Sequence, residues 1–425
     1  MFGSVRSLVR GLVVLAALAP LVGFAQFNNG EAAAKANAAP AFTEEVRGEI
    51  LDGVTLILKE RAFVPGLDFA KWDTLLETNR EQLLKVENEN SFASGVNRLL
   101  REFGISHVGL RTPRSREFRQ TGLTTGLGVG AQFENGAMIV RSVAEGSPAA
   151  QAGLSVGDKI VEINGAAVTA ESRLQAGENE ELKLKFIRGE TAPREIAVKA
   201  GRYEVVVRDQ LKWVDDKFAV IKINSFSRGY DRTALDKMVE EASKAEGIVI
   251  DLRNNGGGAV TNLAHLLGLF IDANEPVGTF VNRQMMQAYL TEKQVTSGDV
   301  KEIAQWGQSK YRPRTPAVKR YEGKVAVLIN RGSASASEIF SAAMKELRGA
   351  HIVGQATRGA VLASTYGRLA GGFELQFPVS DYVTIKGQRL EGDPVTPTIE
   401  VQVTRGIEGD PVLDAAIKAF LSSQG

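Results

Sequence analysis

K-V-A-V-L-I-N (324–330), R-G-S-A-S-A-S (331–337) and E-I-F-S-A-A-M-K-E-L (338–347) follow one another as a buried strand, a turn of small residues and a helix. Strands of the same continuous apolar kind recur on either side: K-F-A-V-I-K-I (217–223), G-I-V-I-D-L-R (247–253) and A-H-I-V-G-Q (350–355). Helical stretches separate them, Y-D-R-T-A-L-D-K-M-V-E-E-A-S-K-A (230–245) and N-L-A-H-L-L-G-L-F-I (262–271). That alternation predicts an α/β core with a mostly parallel sheet covered on both faces. A hairpin predicted over G-F-E-L-Q-F-P-V-S-D-Y-V-T-I-K-G (372–387) makes the sheet mixed, and the aperiodic stretch 284–322 is expected to be an excursion over the surface.

Upstream the pattern changes. Residues 120–201 hold short β-like runs (A-M-I-V-R-S-V, K-I-V-E-I-N-G, L-K-L-K-F-I) parted by glycine turns, while 42–104 carries helical spacing through Val46, Ile50, Val54, Leu56 and Ile57. Residues 26–41, rich in Ala and Asn, read as a linker. In residues 1–25, Arg6 and Arg10 precede the apolar run G-L-V-V-L-A-A-L-A-P-L-V-G-F-A, a signal peptide with a cleavage site after Ala25. The run is short for a membrane span, and an uncleaved anchor is the alternative. The expected organisation is a signal peptide (1–25), a linker (26–41), an N-terminal helical domain (42–119), a second module (120–201) and the α/β core (202–425). Export to the periplasm, the cell envelope or the extracellular space follows from the leader.

The chain has 425 residues with 51 Lys and Arg against 50 Asp and Glu, so no basic surplus points to nucleic acid. It has no cysteine, which excludes a thiol nucleophile and a thiolate metal site.

A hydroxyl between strand and helix is held on rigid elements, and the helix N-terminus favours the charge that develops when serine attacks a carbonyl. Serine before a helix is also an ordinary N-cap. N-N-G-G-G (254–258) after its strand could present backbone amides to an oxyanion or could be a flexible turn; a P-loop lysine and hydroxyl do not follow. A serine nucleophile needs a base, and the chain has three histidines. His265 lies mid-helix and His351 opens a strand, so both read as structural. His107, in F-G-I-S-H-V-G-L (103–110), sits at the break between two modules, where a cleft would form.

Two resemblances sharpen this reading. T-G-L-G-V-G (125–130) with G-S-P-A-A-Q-A-G-L-S-V-G-D-K-I-V-E-I-N-G-A-A-V (146–168) resembles the PDZ family. It implies a peptide site at Gly126, Leu127, Gly128 and Val129, where backbone amides meet a terminal carboxylate and a strand edge pairs with the peptide. D-L-R-N-N-G-G-G, N-R-G-S-A-S-A-S-E-I-F and H-I-V-G-Q-A-T-R-G resemble the S41 serine peptidases, the C-terminal processing peptidases and their tricorn-like relatives. The resemblance implies a crotonase/Clp-protease-like sheet, Ser335 as nucleophile, and Gly257 with Ala336, or Gly256, as oxyanion donors. The processing peptidases carry a lysine base where this chain has Ala360, and no lysine follows until Lys386. I-S-H-V-G (105–109) and L-E-G-D-P-V-T-P-T (390–398) match the tricorn-like motifs instead, which implies a relay of Ser106, His107 and Glu391. The implied activity is serine endopeptidase action on unfolded or tail-presented polypeptides through an acyl-enzyme, with no cofactor or metal; an oligomer is compatible with it. The competing readings are an inactive peptidase-like PDZ scaffold and an acyl-CoA enzyme on the related fold.

Overall fold

The computed structural model describes residues 42–403 and 409–422; the signal-peptide and linker segments, 1–25 and 26–41, lie outside them. The central sheet has six strands in the order Gln210–Val214, Phe218–Lys222, Gly247–Asp251, Val325–Ile329, His351–Gly354, Ile399–Glu400. The first pair is antiparallel and every later pair parallel. Strands Gly247–Asp251 and Val325–Ile329 are buried at every residue, as sheets covered on both faces require. One face packs on helices Arg232–Ala242, Val260–Gly268 and Ala336–Arg348 through Leu235, Leu266 and Phe340, and the other on the C-terminal helix Pro411–Ser422 through Val412 and Phe420.

The segment 372–387 departs from expectation. Instead of a hairpin it forms one strand, Glu374–Thr384, that pairs antiparallel with Gly109–Arg111, Gly278–Asn282 and Ala363–Arg368 in a second sheet. Asp381, inside this strand, is fully buried and its carboxylate is held by Arg389 at 2.7 Å. The stretch 284–322, aperiodic in sequence, holds helices Arg283–Lys293, which buries no residue, and Val300–Trp306. Asn282 and Asp299 cap them, accepting from Met285 N (2.9 Å) and Lys301 N (2.7 Å).

Three helices open the described chain: Glu44–Glu60, capped by Thr43, Lys71–Leu84, and Glu89–Leu100, capped by Asn88. Ile50, Leu51, Val54, Ile57 and Leu58 form the buried stripe of the first, whereas Leu56 faces solvent. Trp72 and Phe92 join that stripe to Phe373, Leu375 and Phe377 of the second sheet, so the helices share their core with the sheet. The next module is a sheet of Val129–Glu134, Ala137–Val143, Lys159–Ile163, Glu181–Ile187 and Arg194–Lys199, with Ala166–Ala167 paired to its third strand. Helix Pro148–Gln151, capped by Ser147, packs on it through Ala149. A two-stranded ribbon, Leu123–Gly126 against Gly201–Glu204, carries the chain into and out of this module.

Candidate active site

Strand Val325–Ile329 delivers the turn 330–335, and helix Ala336–Arg348 leaves from it. Of the three serines here, Ser333 in the turn and Ser337 in the first turn of the helix are locked. Ser333 is fully buried with its hydroxyl donating to the Leu252 carbonyl (2.9 Å), and Ser337 is fully buried with its hydroxyl on the Asn255 carbonyl (2.9 Å). Ser335 is partly exposed and sits at φ 58°, ψ −116°. An ordinary N-cap adopts extended backbone with φ negative. A β-carbon in the left-handed region is strained, and such strain at a strand-to-helix turn aims a hydroxyl outward.

A buried carboxylate holds this strained turn. Glu338 accepts from Ser335 N (3.0 Å), Thr357 Oγ1 (2.6 Å), Gly359 N (2.7 Å) and Ala360 N (2.9 Å). Burial pushes its pKa up, against the pull of these four donors. Ser335 N also donates to the Ala360 carbonyl at 2.9 Å, so Ala360, where the processing peptidases carry a lysine, is a backbone partner of the serine. Lys386 bonds through its backbone to Glu346, near the other end of the serine's helix.

His107 reaches the site because Gly109–Arg111 is pinned to Glu374–Gln376 of the long strand. It has φ 56°, three residues after the left-handed Gly104. Its Nδ1 lies 2.6 Å from Ser106 Oγ, and that hydroxyl donates to Glu391 Oε2 at 2.8 Å. A serine hydroxyl has one proton. Because the carboxylate takes it, Ser106 Oγ accepts from His107 Nδ1–H, and Nε2 is left with its lone pair free. Ser106 therefore stands between ring and carboxylate. Glu391 further accepts from Ser106 N (2.8 Å), Val361 N (2.8 Å) and Leu362 N (3.3 Å), and Val361 N–H belongs to the same peptide unit as the Ala360 carbonyl that holds Ser335. Ser106, His107 and Glu391 are thus brought together across 285 residues. No Ser335–His107 hydrogen bond forms among the described residues, a contact that commonly tightens only around substrate.

Burial of the imidazole lowers the His107 pKa below its ordinary value; Glu391 opposes this, and Arg111 and Arg358 reinforce it. The two arginines were not singled out in the sequence, where T-R-G (357–359) was read only for the missing lysine. Guanidinium does not lose its proton, so Arg358 acts as a fixed positive charge and not as a base.

The glycine turn lies against the serine. A β-carbon on Gly257, which has φ 91°, would meet Ser335 Cβ at 2.7 Å and Ala336 N at 2.9 Å. The Gly257 N–H already donates to Asn255 Oδ1 (2.9 Å), which turns the oxyanion assignment towards Gly256. Gly256 N–H makes no hydrogen bond among the described residues, and a β-carbon there would meet nothing within 4 Å. Ala336 N–H, first in its helix, has no intrahelical acceptor. His265 is structural, as expected, with Nδ1 at 2.9 Å from Tyr230 Oη and Nε2 at 3.0 Å from Asp236.

In the second module Gly126 (φ 153°) ends the ribbon and Val129 begins the edge strand of the sheet. Leu127 points into that module's core, and a β-carbon on Gly128 would meet Ser147 Cβ at 2.1 Å. A cleft of about 1280 Å³ lies over Gly126–Gly130 and reaches Tyr203–Arg208.

Residues 217–401 match the model of peptidase family S41, and residues 139–188 match a PDZ domain model. A CtpA-like serine protease of Staphylococcus aureus is 26% identical over 287 residues, 66% of this chain and 53% of that protein. One from Staphylococcus haemolyticus is 27% identical over 286 residues, 65% of this chain and 52% of that protein. The chain thus spans about half the length of the curated relatives it matches. Among solved structures, the tricorn protease superposes with TM-score 0.52 at 17% identity, covering 89% of this chain and 37% of tricorn. Mature CPAF complexed with lactacystin superposes with TM-score 0.50 at 16% identity, covering 89% of this chain and 97% of CPAF. At such identities these likenesses establish the fold.

Proposed function

We propose that this chain, whose residues 217–401 match peptidase family S41 and whose residues 139–188 match a PDZ domain, is an exported serine endopeptidase acting on unfolded or tail-presented polypeptides. The observation that carries the reading is the hydrogen-bonded series His107–Ser106–Glu391, whose proton order leaves Nε2 as the acceptor. In the first step Nε2 takes the Ser335 Oγ proton while Oγ bonds to the scissile carbonyl carbon. The Ser106 hydroxyl and the Glu391 carboxylate stabilise the imidazolium. Gly256 N–H and Ala336 N–H face the developing oxyanion, each worth about 3 kcal/mol in the transition state. The imidazolium then protonates the leaving amine as the C–N bond breaks, leaving an acyl-enzyme on Ser335. Water, deprotonated by Nε2, releases the second product. The depressed His107 pKa keeps the ring neutral at neutral pH, which a general base requires. The PDZ edge strand Val129–Glu134 and the Gly126–Gly128 loop would take the substrate tail.

A fluorophosphonate probe tests the assignment. Labelling should vanish in Ser335→Ala and fall steeply in His107→Ala; unchanged labelling in His107→Ala removes the relay. Complete absence of labelling in the wild-type chain favours the scaffold reading, which rests on Ala360 at the lysine position.

A further inference from the structure

A second cleft, of about 830 Å³, reaches the glycine turn through Ser227, whose Oγ a β-carbon on Gly258 would meet at 2.5 Å. Ser225 and Ser227 line it and flank Phe226, whose N–H bonds the Gly257 carbonyl at 3.0 Å, so its floor is continuous with the glycine turn under Ser335. Arg111 lines it too, four residues after His107. Arg114, Thr124, Val205 and Val207 line both this cleft and the one over the PDZ loop, which makes the two one groove.

The wall is cationic. Arg111, Arg114, Arg119 and Arg228 line this half of the groove and no Asp or Glu does, whereas Glu145, Glu180 and Glu204 line the half over the PDZ loop. Arg119 has a counter-ion in Glu374 (2.7 Å) and Arg228 has one in Glu204 (3.7 Å). Arg111 and Arg114 have none among the described residues; their bonds go to neutral oxygens, Gln376 Oε1 (2.8 Å) and the Thr125 carbonyl (2.9 Å). Two large apolar side chains stand exposed in the same cleft, Phe118 at 44% and Val207 at 58%. An unneutralised guanidinium pair beside bare apolar surface is complementary to a carboxylate next to an apolar side chain.

We propose that this cleft selects polypeptide segments in which an acidic residue adjoins an apolar one, with Arg111 and Arg114 binding the carboxylate and Phe118 and Val207 the apolar side chain. The selection deepens the peptidase reading and rests on it. Arg111 acts on both substrate and base: its charge helps to hold the His107 pKa down, so Arg111→Gln moves the acid limb of kcat/KM to higher pH.

The probe is a set of fluorescein-labelled peptides identical except for Glu, Gln or Lys at one position, with binding to the Ser335→Ala protein read by anisotropy. Glu should bind about tenfold tighter than Gln and Lys weaker than either, with the ratio falling as salt rises. Arg114→Gln should shrink the Glu-to-Gln ratio and Arg111→Gln/Arg114→Gln should bring it near one. Equal binding of Glu and Gln, or a ratio that survives in the double variant, overturns the proposal. In parallel, digestion of an unfolded protein by the wild type should show Asp or Glu enriched at one fixed offset from the cuts. A protein that cuts without that enrichment refutes the cleft assignment alone; one that cuts nothing while Ser335→Ala still prefers Glu refutes the peptidase reading alone.

Discussion

Ser106→Ala isolates the bridge between His107 and Glu391. It deletes an oxygen that accepts from Nδ1 at 2.6 Å and donates to the carboxylate at 2.8 Å. Glu391 keeps its bonds from Ser106 N, Val361 N and Leu362 N, so the turn stays anchored and the fold should survive. His107 keeps the Coulomb influence of Glu391 and loses the acceptor that fixes its tautomer and supports its protonated form. One charge-assisted hydrogen bond is worth about 2 kcal/mol, hence a fall in kcat of about thirtyfold. Removing an acceptor that favours imidazolium lowers the His107 pKa further, so the acid limb of kcat moves to lower pH even as the plateau drops. The assay is kcat and KM on a fluorescence-quenched peptide across pH 4 to 9, beside a thermal midpoint to confirm folding. A loss below twofold, or an acid limb that moves upward, refutes the proton order deduced here.

Glu338→Ala should destabilise the protein by at least about 3 kcal/mol in urea denaturation, because Ser335 N, Thr357 Oγ1, Gly359 N and Ala360 N all lose their acceptor. Asp209→Asn should stabilise it by about 2 kcal/mol above pH 7 and leave it unchanged near pH 4. Burial, with some help from Asp231, pushes the Asp209 carboxyl up to about 6, and its Oδ2 is buried without a partner. The folded state therefore holds that proton more tightly than the unfolded chain, and stability present in full below pH 3.8 is lost as pH rises through 6. Ala360→Lys should bring no rise in peptidase activity, since the relay already supplies a base; a tenfold gain would show that it does not.

The strand alternation and the serine turn were legible because buried parallel strands are written as unbroken apolar runs, such as G-I-V-I-D and V-A-V-L-I. Ser335 stood out only by resemblance. The physical reasons for choosing it, its positive φ and the locked hydroxyls of Ser333 and Ser337, are tertiary. The placement of Ser106 between ring and carboxylate was likewise invisible, because it depends on a loop and a turn brought together by strand pairing. Helix Arg283–Lys293 buries no residue, so no apolar stripe announced it, although Asn282 was a readable cap. The 11-residue strand Glu374–Thr384 is not legible as one strand, because the arginine that pairs with its buried Asp381 lies eight residues further on and the pairing is tertiary.

The ribbon that joins the two modules has a modular consequence. Gly126 and Gly201 face each other in register, so the chain leaves the α/β body and returns to it at a single doorway. Everything between them could be lifted out and the two ends closed by a two-residue turn without rerouting any strand of the central sheet. The same doorway would accept a different recognition module, and exchanging modules there would re-address the proposed activity while leaving the α/β body in place.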